Sequence, residues 1–229
     1  MAYQTLLTLI DRRKSSFAHF YFRGVIVIPL SQQSSFLLPD RLLLPLAFDH
    51  AQLQADLTVT DDFGWIDHLV AQNYQGSWTV LPLRHRAGAT HPVMQIFADP
   101  TATVFEDTPL LARMPYVRSV LAAFDCPLQC VRLMRLAPGS IIKEHCDHDL
   151  AAEWGSARIH VPITTNDQVE FLVNRVPVVM APGSAWYLRL ADPHSVANRG
   201  TSDRIHLVID CTVNAWLMAL LEQAAGQGA

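Results

Sequence analysis

Beyond Pro127 the chain runs in short apolar stretches with a period of two: Val131–Leu136, Ser140–His145, Ala157–Thr164, Val169–Val173, Val176–Met180, Ala185–Leu190 and Arg204–Val213. Turn-forming residues separate several of them, at Pro138-Gly139, Asn166-Asp167, Pro182-Gly183 and Asn198-Arg199-Gly200. Many short strands at such spacing predict an antiparallel sandwich or barrel. Upstream the period changes. Leu110, Leu111, Met114, Val117, Val120 and Leu121 follow Thr108-Pro109 at three- and four-residue spacing, which predicts a helix with proline in its first turn. Ala51–Leu57 and Trp65–Val70 read as further helical turns, with Asp61-Asp62 between them as a cap or turn. Ser77–Leu83 reads as a strand that ends in the basic turn Arg84-His85-Arg86.

Residues 1–38 have a character of their own: a charged start at Asp11–Lys14, the apolar run Gly24–Leu30, then the polar Ser31–Ser35. They are expected to form an extension ahead of the functional domain. That domain is expected over 39–217, with a helical N-terminal part and a β core over about 127–213, leaving 218–229 as a tail. Half of the 229 residues are hydrophobic and 17% are charged, so a sizeable core is expected and wholesale disorder is excluded. A net charge of −4 leaves no basic footprint for nucleic acid. The longest apolar stretch, Phe17–Leu30, contains His19 and Arg23 and is too short to span a bilayer, so no membrane partner is expected. Cys126, Cys130, Cys146 and Cys211 show neither a C-x-x-C pair nor disulfide spacing, as expected of reduced thiols in a cytoplasmic protein. The expected partner is a small-molecule or peptide substrate; the oligomeric state is not written in the sequence.

The candidate chemistry centres on His145-Cys146-Asp147. An H-x-D motif alone says little, because chance supplies roughly 0.7 of them in a chain with 10 His and 16 Asp. Here it closes a strand-like segment, where residues i and i+2 share a face and can grip one ion. His194, in Asp192-Pro-His-Ser-Val-Ala-Asn198, offers a third ligand. Two imidazoles and one carboxylate on one face of a metal form the facial triad of non-haem Fe(II) oxygenases. The plain alternative is a surface turn holding His145 and Asp147, with His194 capping a loop. Two strands bear on the choice. Alternation puts Arg158, His160 and Thr164 on one face, and Arg204, His206 and Asp210 on one face of the other strand. Such faces belong either to ordinary amphipathic strands turned to water or to a polar barrel interior around a metal and an anion, for which arginine is the natural bidentate partner.

Four blocks resemble the bacterial members of the aspartyl/asparaginyl β-hydroxylase family: Val131–Asp147, Arg158–Pro162, Pro193–Gly200 and Arg204–Asp210. The segment Tyr74–Trp78 with Leu81–Arg84 fits the upstream part of that family, and the resemblance covers roughly residues 38–217. It implies a mainly β fold with N-terminal α structure and a double-stranded β-helix core, a jelly-roll relative with cupin-like architecture. It also implies Fe(II), 2-oxoglutarate as co-substrate and O2. The iron ligands map to His145, Asp147 and His194. Arg204, ten residues after the second histidine, maps to the partner of the distal carboxylate of 2-oxoglutarate. Arg158 and His160 map to the lining of the co-substrate and substrate region. The implied reaction hydroxylates an unactivated C–H of an amino-acid-type substrate, free or in a peptide, with release of succinate and CO2. The other readings are a cupin-like metal- or ligand-binding protein without turnover, and a non-redox metalloenzyme at the same ligands.

Other residues stay open on sequence alone. Trp78 reads as a buried aromatic or as a wall of the substrate pocket. Arg84 and Arg86 read as substrate anchors or as solvated charges. Arg132 and Arg135 have opposite parity, so at most one faces the metal. His148 and Asp149 would crowd the open positions and are set aside as ligands. His206 faces the core or backs the site, and Cys146 and Cys211 read as small packing residues.

Overall fold

A computed structural model describes residues 37–227. In chain order the strands are β1 (Arg41–Ala47), β2 (Ile66–Asp67), β3 (Tyr74–Gln75), β4 (Trp78–Arg86), β5 (Phe105–Asp107), β6 (Leu128–Leu136), β7 (Ile141–His145), β8 (Ser156–Thr164), β9 (Val169–Val173), β10 (Val176–Pro177), β11 (Ser184–Leu188), β12 (His194–Asn198) and β13 (Arg204–Thr212). The helices are α1 (His50–Leu57), α2 (Pro92–Ile96), α3 (Pro109–Ala112), α4 (Pro115–Ala122) and α5 (Ala215–Gln227). No helix among the described residues is long and apolar enough to cross a membrane.

The strands form two antiparallel sheets. The larger has the order β1-β11-β8-β13-β6-β4-β2, with β5 added to β4; the smaller has the order β10-β9-β12-β7-β3. This is the double-stranded β-helix that the resemblance implied. Alternation along the larger sheet sorts two hydrophobic layers. Val131, Leu133, Ile159, Val161, Ile163, Leu207 and Ile209 pack against helical residues such as Leu53, Val117, Leu121, Leu217 and Leu221. The opposite face carries Val80, Met134, Leu136, Leu188 and Val208, which pack on Ile142, Phe171, Val173 and Val196 of the smaller sheet. The helices therefore cover one face of the larger sheet, and the polar residues of the other face are turned toward the smaller sheet, not toward water.

Several expectations need correction. Ahead of 127 the strand expected at Ser77–Leu83 forms as β4, but it is not alone there. Arg41–Ala47 pairs with β11 as an edge strand, burying Leu42 and Leu44 while Leu43 faces out. Trp65–Val70 contributes the short strand β2 on β4 in place of a helical turn. The helix expected after Pro109 is broken into α3 and α4, because Pro115 has no N–H to donate and disfavours helical backbone at Met114. The segment beyond 217 is the continuation of α5, whose Leu217, Leu221 and Ala224 are buried at helical spacing. The expected 1–38 extension lies outside the described residues, save that Leu37 is exposed and Leu38 enters the core.

The Pro-Gly turns form as their sequences predict. Ser184 N–H donates to the Ala181 carbonyl at 3.1 Å, and Gly183 at φ 78° supplies the left-handed residue that such a turn needs. Gly183 also lets two chains meet: its N–H donates to Pro162 and its carbonyl accepts from Phe48 at 2.8 Å. A Cβ there would lie 2.2 Å from the Phe48 carbonyl oxygen, whereas at Gly88, also left-handed at φ 75°, it would meet nothing within 4 Å. Gly88→Ala should lose only the left-handed term of about 1–2 kcal/mol, roughly 2–8 °C in Tm for a domain of this size. Gly183→Ala should fall well below Gly88→Ala in a thermal melt. Equal Tm values would show that β1 and its flank can shift without cost.

Candidate active site

His145 ends β7 and His194 begins β12, and the two are direct partners in the antiparallel ladder. A register shift lies beside them: His194 pairs with His145, but Val196 pairs with Ile142, so β7 carries one extra residue. Ile142 points into the layer between the sheets. Three residues on, His145 would face the other way in a regular strand; the bulge turns it back beside His194, with ring centroids 4.2 Å apart. Asp147 follows the strand end, with its N–H bound to the Leu190 carbonyl at 2.8 Å. One ligand atom from each of His145, Asp147 and His194 lies within 4.8 Å of the others.

The imidazoles are oriented by their own backbone. His145 Nδ1 is 2.8 Å from the Lys143 carbonyl, and His194 Nδ1 is 3.0 Å from the Asp192 carbonyl. A carbonyl only accepts, so each Nδ1 carries the proton and each Nε2 keeps its lone pair for a metal. Burial pushes His194 down to about 4, so it is a neutral ligand at physiological pH. Asp147 Oδ1 lies 3.8 Å from His145 Nε2. Its other oxygen accepts from Arg158 Nη1 at 2.7 Å. Two borderline nitrogens and one hard oxygen suit an ion such as Fe(II).

On the larger sheet, Arg158 and Asp210 are direct cross-strand partners. Arg158 donates to both Asp210 oxygens, at 2.6 and 3.1 Å, and Arg132 of β6 makes a further ion pair with the same carboxylate. Burial drives the Asp210 carboxyl upward, but the pull of Arg132 and Arg158 outweighs it and leaves the group below the usual carboxylate range. Arg158 is raised by the converse balance, Asp210 and Asp147 overcoming the cost of burial. The candidate ligand Asp147 is thus the half-buried end of a chain of charge that starts inside the sheet.

Arg204 sits at the other end of the β13 face, six residues or roughly 20 Å of strand from Asp210. It is 2% exposed, and no carboxylate among the described residues pairs with it. Its Nε has no hydrogen-bond partner, and neither has His160 Nε2. Burial lowers Arg204 to about 9, which still leaves it charged at neutral pH. Its guanidinium lies 5.6 Å from the Phe171 ring. Arg204, Arg158, His160, Phe171 and the three candidate ligands line one narrow pocket between the sheets. An orphaned buried cation facing such a pocket fits a ligand carboxylate.

Adjoining the narrow pocket, and sharing His145, Asp147 and Arg158 with it, is a cavity of about 310 Å³, walled also by Trp78, Arg132, Asp210 and residues of the segments 68–73, 96–100 and 147–150. Trp78 belongs to both pockets. His68 stacks on it at 3.4 Å, nearly coplanar at 9°. Burial, then the positive field of Arg132 and Arg158, pushes His68 down to about 3. Arg84 requires a correction. A second bulge shifts β4 between Pro82 and Arg84, so Arg84 pairs with Val131 and turns to the helix-covered face. There it bonds Asp107 and the Leu128 carbonyl, away from the cavity. Sequence reasoning put Asp210 on the face of Arg204 and His206 and left Arg132 open, and it missed His68, which no pattern marked.

The model of the aspartyl/asparaginyl beta-hydroxylase family matches residues 50–213, which hold every group just described. The chain belongs to this family. The chain is also 27% identical over 171 residues to L-proline cis-4-hydroxylase of Rhizobium meliloti (strain 1021). That match covers 74% of this chain and 59% of the relative, so the chain spans about three fifths of the relative's length. Among solved structures, HygX of Streptomyces hygroscopicus, with nickel and 2-oxoglutarate bound, superposes with a TM-score of 0.50 at 11% identity, over 82% of this chain and 88% of that one. At that identity the likeness is one of fold. A 2OG-Fe(II) oxygenase family oxidoreductase from Burkholderia pseudomallei reaches a TM-score of 0.49 at 18% identity, over 77% and 88% of the two chains.

For a β-hydroxylase family member with this trio, His145→Ala and His194→Ala should lose most bound divalent metal after dialysis, while Asp147→Ala should retain more; metal analysis per mole of protein reads this directly. Stoichiometric metal in His194→Ala would put the third ligand elsewhere. Asp210→Asn should leave the buried Arg132 guanidinium without a carboxylate and Arg158 with Asp147 alone, and cost about 3–5 kcal/mol, or roughly 6–20 °C in Tm. An unchanged melting curve would mean that water solvates the pair.

Proposed function

We propose that the protein is an Fe(II)- and 2-oxoglutarate-dependent hydroxylase of an amino-acid-type substrate, free or in a peptide, that consumes O2 and releases succinate and CO2. The observation that carries the reading is Arg204, a buried cation without a carboxylate partner among the described residues, in the same pocket as the His145–Asp147–His194 trio. A generic metal-binding barrel has no need of such a charge. Family membership and the hydroxylase relative support the same class of reaction.

Bound together, iron, 2-oxoglutarate and O2 supply an oxidant able to take hydrogen from an unactivated C–H. The chain's own part is placement and exclusion. His145 and His194 offer neutral Nε2 donors, and Asp147 offers one oxygen while Arg158 holds the other. Arg204 aims at the distal carboxylate of the co-substrate, and His160 and Phe171 close the walls around it. The adjoining 310 Å³ cavity takes the substrate, and Trp78 lines both compartments. Arg158 spans both, which explains why its side chain is locked by two carboxylates.

Succinate formation from 2-oxoglutarate under O2, dependent on added iron, is the direct test, and screening amino acids and short peptides for stimulation names the substrate. No succinate from iron-loaded protein with any of them would return the non-redox and turnover-free readings to the front. Arg204→Gln removes one member of a buried ion pair, a loss of about 3–5 kcal/mol, so 2-oxoglutarate affinity should fall on the order of 10²–10³-fold at 1.4 kcal/mol per tenfold. Lysine at 204 should recover part of that, keeping charge without the fork. Equal titrations for wild type and Arg204→Gln would remove Arg204 from the co-substrate pocket.

A further inference from the structure

A buried cation must be aimed as well as matched. Arg204 Nη2 donates to His206 Nδ1 at 2.8 Å, the one hydrogen bond it makes among the described residues. The two residues stand two apart on β13 and share its inward face. His206 is itself 2% exposed, and it does not line the pocket that Arg204 lines. We propose that His206 is a positioning residue, a neutral acceptor that orients Arg204 toward the distal carboxylate of 2-oxoglutarate without neutralising it. The inference rests on the co-substrate reading above.

The contacts fix both the direction and the charge. Because a guanidinium can only donate, the His206 Nδ1 facing it must carry a lone pair, and the ring proton sits on Nε2. His160 Nδ1 approaches the same atom at 3.4 Å, so the imidazole is wedged between β8 and its own strand. Phe171 lies across the guanidinium from the smaller sheet, with its ring 5.6 Å away. Arg204 is thereby held in one plane. Burial, with Arg204 and His160 adding to it, keeps His206 well below the ordinary histidine range and so uncharged.

The same strand offers its own contrast. At its far end Arg158 and Arg132 are oriented by the carboxylate of Asp210, which spends their charge. A carboxylate at 206 would orient Arg204 equally well but would already occupy it when the co-substrate arrives. An imidazole gives direction and leaves the full positive charge for the ligand.

The test is calorimetric titration of 2-oxoglutarate into the full-length, Mn(II)-loaded protein without O2, comparing His206→Asn, His206→Asp and His206→Leu. Asparagine can place an amide oxygen near the Nδ1 position, so its Kd should stay within about threefold of wild type. Leucine removes the acceptor of a charged donor and should weaken binding about tenfold to a hundredfold. Aspartate, equal in size to asparagine, should weaken it at least about tenfold, because it competes for Arg204. Mn(II) affinity should not change, and in an Arg204→Gln background His206→Leu should add nothing. Equal weakening by asparagine and aspartate, or a further loss from His206→Leu when Arg204 is already gone, would leave His206 with packing alone and overturn the proposal. Should His206→Leu fail to fold, the asparagine and aspartate pair decides. Wild-type protein that binds Mn(II) but not 2-oxoglutarate would overturn the co-substrate reading itself, and the inference with it.

Discussion

The carboxylate of Asp210 lies in the middle of the larger sheet at 1% exposure, and two arginines depend on it for a partner. Removing three charges from water is expensive, and their mutual attraction restores that cost only when geometry is close and every donor is satisfied. Arg158 and Asp210 meet as cross-strand neighbours, and Arg132 comes in from the strand on the other side of β13. The three charges thus tie three central strands together at one level of the sheet. Arg158 then reaches across to Asp147, so the position of a candidate metal ligand on a connecting segment is set by a charge inside the sheet. The ligand segment needs little rigidity of its own.

The two ends of β13 treat positive charge in opposite ways. Around Asp210 the arginines are matched internally, and the 310 Å³ cavity there presents polar walls with little uncompensated charge. Around Arg204 the charge is left open in a place where only apolar and neutral groups surround it. A low-dielectric surrounding strengthens whatever anion reaches Arg204, and the same surrounding makes Arg204 costly to leave bare. The two pockets therefore differ in the state of their arginines: Arg204 has no carboxylate partner among the described residues, while Arg132 and Arg158 are engaged by Asp210.

Much of this was legible in the sequence. Period-two alternation gave the strands that carry Arg158, His160, Arg204 and His206, and their inward faces followed from parity. Pro-Gly pairs marked turns that form as expected. One failure comes from a β-bulge. Parity counting assumes a regular strand, and the register shift beside Pro82 turns Arg84 outward, whereas the one beside His145 turns inward a residue that the H-x-D motif already marks. Strand β12, which carries His194, gives no period-two signal, because its five residues mix polar and apolar positions that are nearly all buried. Parity placed Asp210 on the face of Arg204 and His206 but could not name its partner. An ion pair between strands β8 and β13 spans 52 residues of sequence, and no local pattern announces it.

The pairing of His194 with His145 on one rung has a consequence for assembly. Two of the three candidate ligands belong to a single ladder, so a slip of either strand by one residue would send one imidazole to the opposite face of the smaller sheet. A metal that needs both nitrogens can therefore read only the correctly aligned sheet. Misaligned forms gain nothing from it, while the aligned form is favoured by mass action in proportion to how far the ion exceeds its dissociation constant. A metal held by this trio would therefore favour correct strand alignment in the smaller sheet, whose described strands are no longer than five residues.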